Sequence, residues 1–164
     1  MECFDELVNV IARLRAKDGC PWDREQTHMS LKAPCIEEAA EVISGINILD
    51  KTDNADNLKE ELGDLLLQVV MHAVIAEEEE LFTMEDVVKG ITEKMIRRHP
   101  HVFGEVTVSD SGEVLRNWEA IKGNEKHGKS LDDAEFLEQA FDESIELIEV
   151  ARKRKAEKRK KSGD

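Results

Sequence analysis

No stretch of this 164-residue sequence approaches the ~18 consecutive apolar residues of a membrane-spanning helix. The first twenty residues interleave charge with apolarity instead of forming the core of a secretory leader. Cysteine is scarce: Cys3, Cys20 and Cys35 are an odd set with no Cys-x-x-Cys spacing, which argues against a disulfide framework and reads as reduced thiols of a cytoplasmic protein. β-Branched alternation is confined to residues 106–110, so sheet content is negligible, and there is no internal repeat. Basic residues are also short, 23 Lys+Arg against 37 Asp+Glu, for a net charge of −14. Residues 152–164 hold eight basic and two acidic residues, which leaves −20 on residues 1–151. So acidic a body repels nucleic acid and anionic membranes, and neither is expected as a partner.

What is present is helical periodicity. Phe4, Leu7, Val8, Ile11 and Leu14 repeat every 3.6 residues and predict a first helix over 3–17. Gly19, Pro21 and a polar run make 18–30 an ordered loop. A second helix runs from 31 or 34 to 49, with Ser30 as its N-cap and Pro34 in its first turn. After a turn at 50–56, a long third helix over 57–80 carries Leu58, Leu62, Leu65, Leu66, Val69, Val70, Ala73 and Val74. Thr83 caps a fourth, striped by Val87, Val88, Ile91 and Met95 and stopped by Pro100. A short helix follows at 112–122. A last one begins at 132 and merges at 151–161 into charge with almost no apolar face.

The predicted fold class is therefore all-α, an antiparallel bundle of about four to six helices. Its wide apolar faces are expected to pair into a homodimer or a dimer of dimers. The predicted organisation is one domain over 1–130, an acidic helix over 131–151, and a basic, frayed or disordered tail over 152–164.

Chemistry is concentrated in the second and third helices. Glu38/Glu41 and Glu61/Asp64 are spaced i, i+3, which puts each pair on one helix face. In a chain with 37% charged residues such pairs also arise by chance on solvated faces. These, however, interrupt apolar stretches, Ala39, Ala40, Val42 and Ile43 in one case and Leu62, Leu65, Leu66 and Leu67 in the other. A short turn makes the two helices antiparallel neighbours, so the pairs face each other, and buried carboxylates need a cation. The lone Glu-x-x-His, Glu25 to His28, lies in the loop, so no nitrogen joins the set. All-oxygen ligation favours Mg²⁺, with Mn²⁺ as a substitute. Glu60 points to solvent; Glu37 is open between a role in orienting water and surface charge. Gly63 marks either close helix packing or room beside the metal.

Cations suited to a polyanion appear at Lys94 and Arg98, i, i+4 on the fourth helix, where a surface salt bridge is the plainer alternative. Trp118 and Lys122 are spaced alike on the next helix, the indole being either core or a base-stacking platform. His99 and His101 flank Pro100 and read as C-terminal capping.

Taken together, C-P-W-D-R-E-Q-T at 20–27, E-E-A-A-E-V at 37–42, E-E-L-G-D-L-L-L-Q-V at 60–69, R-R-H-P-H-V-F at 97–103 and N-W-E-A-I-K at 117–122 resemble the MazG family of nucleoside triphosphate pyrophosphohydrolases over about residues 1–125. The resemblance implies an all-α, Mg²⁺-dependent enzyme that converts nucleoside triphosphates to the monophosphate and pyrophosphate by water attack at the α-phosphate. It implies a dimer as the minimal unit, metal ligands Glu38, Glu41, Glu61 and Asp64, substrate contacts Lys94, Arg98, Trp118 and Lys122, and Glu37 or Glu38 orienting the water. The chain resembles the N-terminal half of two-domain members; a second E-E-x-x-E domain is absent, and the halves of such proteins need not be equally active. Ala40 stands where a larger aromatic is frequent, and nothing in the family pattern accounts for the segment after Lys129. The alternative is a catalytically idle helical module that binds nucleotides or a protein partner.

Overall fold

The computed structural model describes residues 2–126 and 132–162. Among the described residues every regular element is a helix: α1 (Glu2–Arg15), α2 (Pro21–Arg24), α3 (Lys32–Thr52), α4 (Asp56–Glu78), α5 (Met84–Arg98), α6 (Pro100–Phe103), α7 (Ser111–Lys126) and α8 (Asp132–Ser162). None of them is long and apolar enough to cross a membrane. The chain divides into two compact units, Met1–Met84 with Phe141–Asp164, and Glu85–Ala140. The boundary expected at 130/131 lies outside the described residues.

In the first unit the dominant contact is α3 against α4. Asp53, in the left-handed region at φ 55°, ends α3 by donating its N–H to the Leu49 carbonyl at 2.9 Å, and the chain turns back within three residues. Short polar side chains tolerate that conformation. Gly45 sets the separation of the pair, because a Cβ there would lie 2.8 Å from Leu58 Cα and 3.0 Å from its nitrogen. Gly63 has open space instead, so the close-packing explanation belongs to Gly45 and not to Gly63.

The core lies towards α1 and the second half of α4. Ile11, Leu31, Val70, Met71, Val74 and Ile75 are buried together, with Phe4, Leu7, Val8, Leu14, Leu67 and Met84 packed on them. The apolar stripe expected along all of α4 is split: Leu62, Leu66 and Val69 are exposed, as are Ile43 and Ile46 of α3. Arg15 is the buried polar clasp of this end. Its guanidinium donates to Glu78 at 2.7 and 2.9 Å, and to the carbonyls of Asp23 and Gln26 at 2.5 and 3.1 Å, which fixes the loop 18–30.

Two local expectations need correction. Ser30 is not the N-cap of α3, which starts after Leu31; its hydroxyl is used inside the loop, accepting the Thr27 N–H at 2.9 Å and donating to Gln26 at 2.8 Å. Residues 152–162, read as a frayed or disordered tail, continue α8. Ala, Glu, Lys and Arg are among the strongest helix formers, and α8 gains ionic partners on α3: Lys32 Nζ donates to Glu143 at 2.8 and 2.9 Å.

The second unit holds most of α5 with α6 and α7. α5 stops at Arg98 ahead of Pro100, and His99 Nδ1 donates to the Met95 carbonyl at 2.6 Å, a C-terminal cap as expected. The β-branched segment 106–110 forms no strand.

Candidate metal-binding site

The Gly45–Leu58 approach brings the acidic turn of α3 against that of α4. One carboxylate oxygen each from Glu38, Glu61 and Asp64 lie within 4.8 Å of one another. Glu61 is 9% exposed although it neighbours exposed Leu62, so at this end the helices turn charge inward and leucine outward. Asn57, one turn before Glu61, donates to its Oε1 at 3.0 Å. The remaining oxygens of Asn57 and of Gln68 are buried without a hydrogen-bond partner.

Three ionised carboxylates at that separation repel by about 3 kcal/mol per pair at an effective dielectric of about 20. A proton or a bound cation would relieve that repulsion. Burial, then the charges of Glu41, Asp64 and Glu61, push the Glu38 carboxyl above its usual range, with Lys155 opposing. An all-oxygen donor set fits a hard divalent cation, and the orphaned amide oxygen of Asn57 belongs to the residue that bonds Glu61.

Glu41, expected as the fourth ligand, stands outside this trio: Lys155 Nζ of α8 donates to its Oε1. Glu37 accepts from the Arg154 guanidinium. Glu60 is solvent-exposed, as expected. Between α3, α4 and α8 lies a cavity of about 500 Å³, lined by Glu37, Glu41, Asn57 and Glu61 on one side and Arg152, Lys155 and Arg159 on the other, with Ala40 in its wall. The α8 cations escaped sequence reasoning because more than a hundred residues separate them from α3. The one available signal was the reversal of charge at residue 152.

In the second unit Arg98, Trp118 and Lys122 do come together. The Arg98 guanidinium carbon and Lys122 Nζ lie 4.9 and 4.8 Å from the Trp118 ring centre, at cation–π distance. Lys94 is half-buried one turn before Arg98. Glu125, unrecognised from sequence, organises the group. It accepts from Arg98 Nε and Nη2 at 3.0 and 2.5 Å and from Arg97 Nε at 2.7 Å. Those bonds, Arg98 first, hold its carboxyl down at about 2. Its position seven residues after Trp118, on the same helix face, was the missed cue.

Residues 26–103 match the model of the MazG nucleotide pyrophosphohydrolase domain, a span that contains Glu37, Glu38, Glu41, Glu60, Glu61 and Asp64. A nucleoside triphosphate pyrophosphohydrolase/pyrophosphatase MazG of Thermotoga maritima is 52% identical over 126 residues, 77% of this chain and 46% of the relative. A nucleoside triphosphate pyrophosphohydrolase of Escherichia coli K12 is 42% identical over 131 residues, 79% of this chain and 48% of the relative. An uncharacterized protein, YabN, of Bacillus subtilis is 52% identical over 124 residues, 76% of this chain and 24% of that protein. The chain thus spans between a quarter and a half of the length of these curated relatives. Motifs, helical fold, carboxylate trio and matched span agree, and residues 26–103 of this chain match the MazG nucleotide pyrophosphohydrolase domain.

Proposed function

We propose that this protein hydrolyses nucleoside triphosphates to the monophosphate and pyrophosphate. The observation that carries this reading is the trio of oxygens from Glu38, Glu61 and Asp64 within 4.8 Å. These residues, joined by Glu41 when Lys155 leaves it, would hold Mg²⁺, with Mn²⁺ as a substitute. When bound, the metal supplies positive charge to the phosphates and an acidified water.

The chain's own residues do the rest. Glu38, or Glu37 beside it, orients the water and takes its proton. Water oxygen bonds to the α-phosphorus as the bridge to the β-phosphate breaks, and pyrophosphate leaves with the electron pair. In the second unit, taken by itself, Lys94 and Arg98 are the candidate phosphate contacts and Trp118 with Lys122 the candidate base contacts. Three free cysteines suit a cytoplasmic setting.

Exposed apolar side chains support a homodimer. Ile43, Ile46, Leu62, Leu66 and Val69 are 38–61% exposed. At ~1 kcal/mol each for completing their burial, a symmetric pair gains ~10 kcal/mol, within the range that offsets association.

One observation favours a second reading, an idle binding module: Glu37 and Glu41 already have protein cations. Pyrophosphate release from a panel of ribo- and deoxyribonucleoside triphosphates with Mg²⁺ decides. Turnover supports the hydrolase, and binding without turnover the module.

A further inference from the structure

The α8 helix lies outside the matched domain span, yet it supplies the cationic side of the cavity beside the carboxylates. Arg152, Lys155 and Arg159 recur at i, i+3 and i+7, which puts them on one face, and all three line that cavity opposite Glu37, Glu41 and Glu61. Ile148 and Ala151, on the same face, line it too, so the helix is seated by apolar contact as well as by charge. We propose that this face of α8 is a polyphosphate-binding wall, with Arg152, Lys155 and Arg159 taking the β- and γ-phosphoryl groups, or free pyrophosphate, at the carboxylate site. The proposal rests on the hydrolase reading above for its substrate class.

Charge decides in its favour. Glu37, Glu38, Glu41, Glu61 and Asp64 put five carboxylates around one cavity and trio. A triphosphate brings about four more negative charges, beyond what one or two divalent ions balance. In this unit the cavity's own cations are those of α8. The partners of Lys155 and Arg152 are ones that a phosphate can replace. Lys155 holds Glu41, which a metal would claim, and that exchange frees the ammonium beside the site. Arg152 holds Glu149 at 2.7 Å in an exposed i, i+3 pair of the kind that contributes little. Guanidinium groups at 152 and 159 offer the forked donors that phosphate oxygens accept.

The test is calorimetric binding of inorganic pyrophosphate to the full chain with Mg²⁺, alongside turnover of a nucleoside triphosphate. Lys155→Ala and Arg159→Ala should each weaken pyrophosphate at least tenfold and raise KM more than they lower kcat. Lys155→Arg should restore most of the loss, and the slope of affinity against salt should shrink in each alanine variant. Both positions are exposed, so helical content by circular dichroism is expected to be unchanged. Pyrophosphate bound as tightly by both alanine variants as by wild type overturns the proposal. So does tighter Mg²⁺ binding with faster turnover in Lys155→Ala, which would make α8 a competing counter-ion. A wild type that binds pyrophosphate through these residues but cleaves no triphosphate removes the hydrolase reading and leaves the wall standing.

Discussion

Gly45→Ala is the most diagnostic single-atom perturbation of the scaffold. In an ordinary exposed helix the exchange stabilises by about 1 kcal/mol. Here the added Cβ would meet Leu58 Cα at 2.8 Å, its nitrogen at 3.0 Å and its Cβ at 3.2 Å. Two of those three atoms are backbone and cannot turn aside, so α3 and α4 must separate by several tenths of an ångström. Overpacking of this kind costs about 2–3 kcal/mol, which outweighs the helix gain and leaves a net loss of about 1–2 kcal/mol. At about 2–4 °C per kcal/mol for a chain of this size, Tm should fall by about 5 °C. The carboxylate trio spans the same two helices, Glu38 on one and Glu61 and Asp64 on the other. Affinity for Mg²⁺ should therefore fall with stability. Gly90→Ala is the control: it meets nothing within 4 Å and should raise Tm by a few degrees. Thermal melts and Mg²⁺ titration of both variants give the answer. A Gly45→Ala protein with a raised Tm and unchanged metal affinity would refute the claim that this contact sets the site.

Arg15→Ala should cost about 2–4 kcal/mol in urea unfolding, since it orphans two loop carbonyls and the Glu78 carboxylate at a site where the arginine side chain is 5% exposed. His72 is held below its ordinary pKa by burial first and by His28 second. The unfolded chain therefore binds more protons than the folded one below about pH 6.5, and stability should decline as pH falls through that range. Tm against pH checks this, and His72→Gln should flatten the decline.

How far the sequence revealed this molecule depends on the distance over which each feature is decided. α3 and α4 were legible because apolar periodicity and i, i+3 acids are local properties of a helix. Pro100 and the His99 cap were legible for the same reason. Ser30 misled because its hydroxyl has two acceptable uses, cap or loop, and the loop around Arg15 claims it. Gly45 and Gly63 look alike in sequence, and only the path of Leu58 separates them. Residues 152–162 looked unstructured because their stabilising partners, Glu37 and Glu41, belong to a different helix far along the chain. The Lys155 contact also explains why Glu41, one of the four expected carboxylates, stands apart from the trio of Glu38, Glu61 and Asp64. The exposed Leu62, Leu66 and Val69 show the complementary gap: periodicity marks what an apolar face wants and leaves open whether this chain or a second copy supplies it.

If Glu38, Glu61 and Asp64 form a metal-dependent triphosphate-cleaving site, pyrophosphate release depends on Mg²⁺ and on each of these carboxylates. Wild type should release pyrophosphate only with the metal, while Glu38→Ala and Asp64→Ala should each lose most turnover and stay folded by circular dichroism. Near-wild-type release from either variant, or release undiminished by chelation of the metal, would contradict the account.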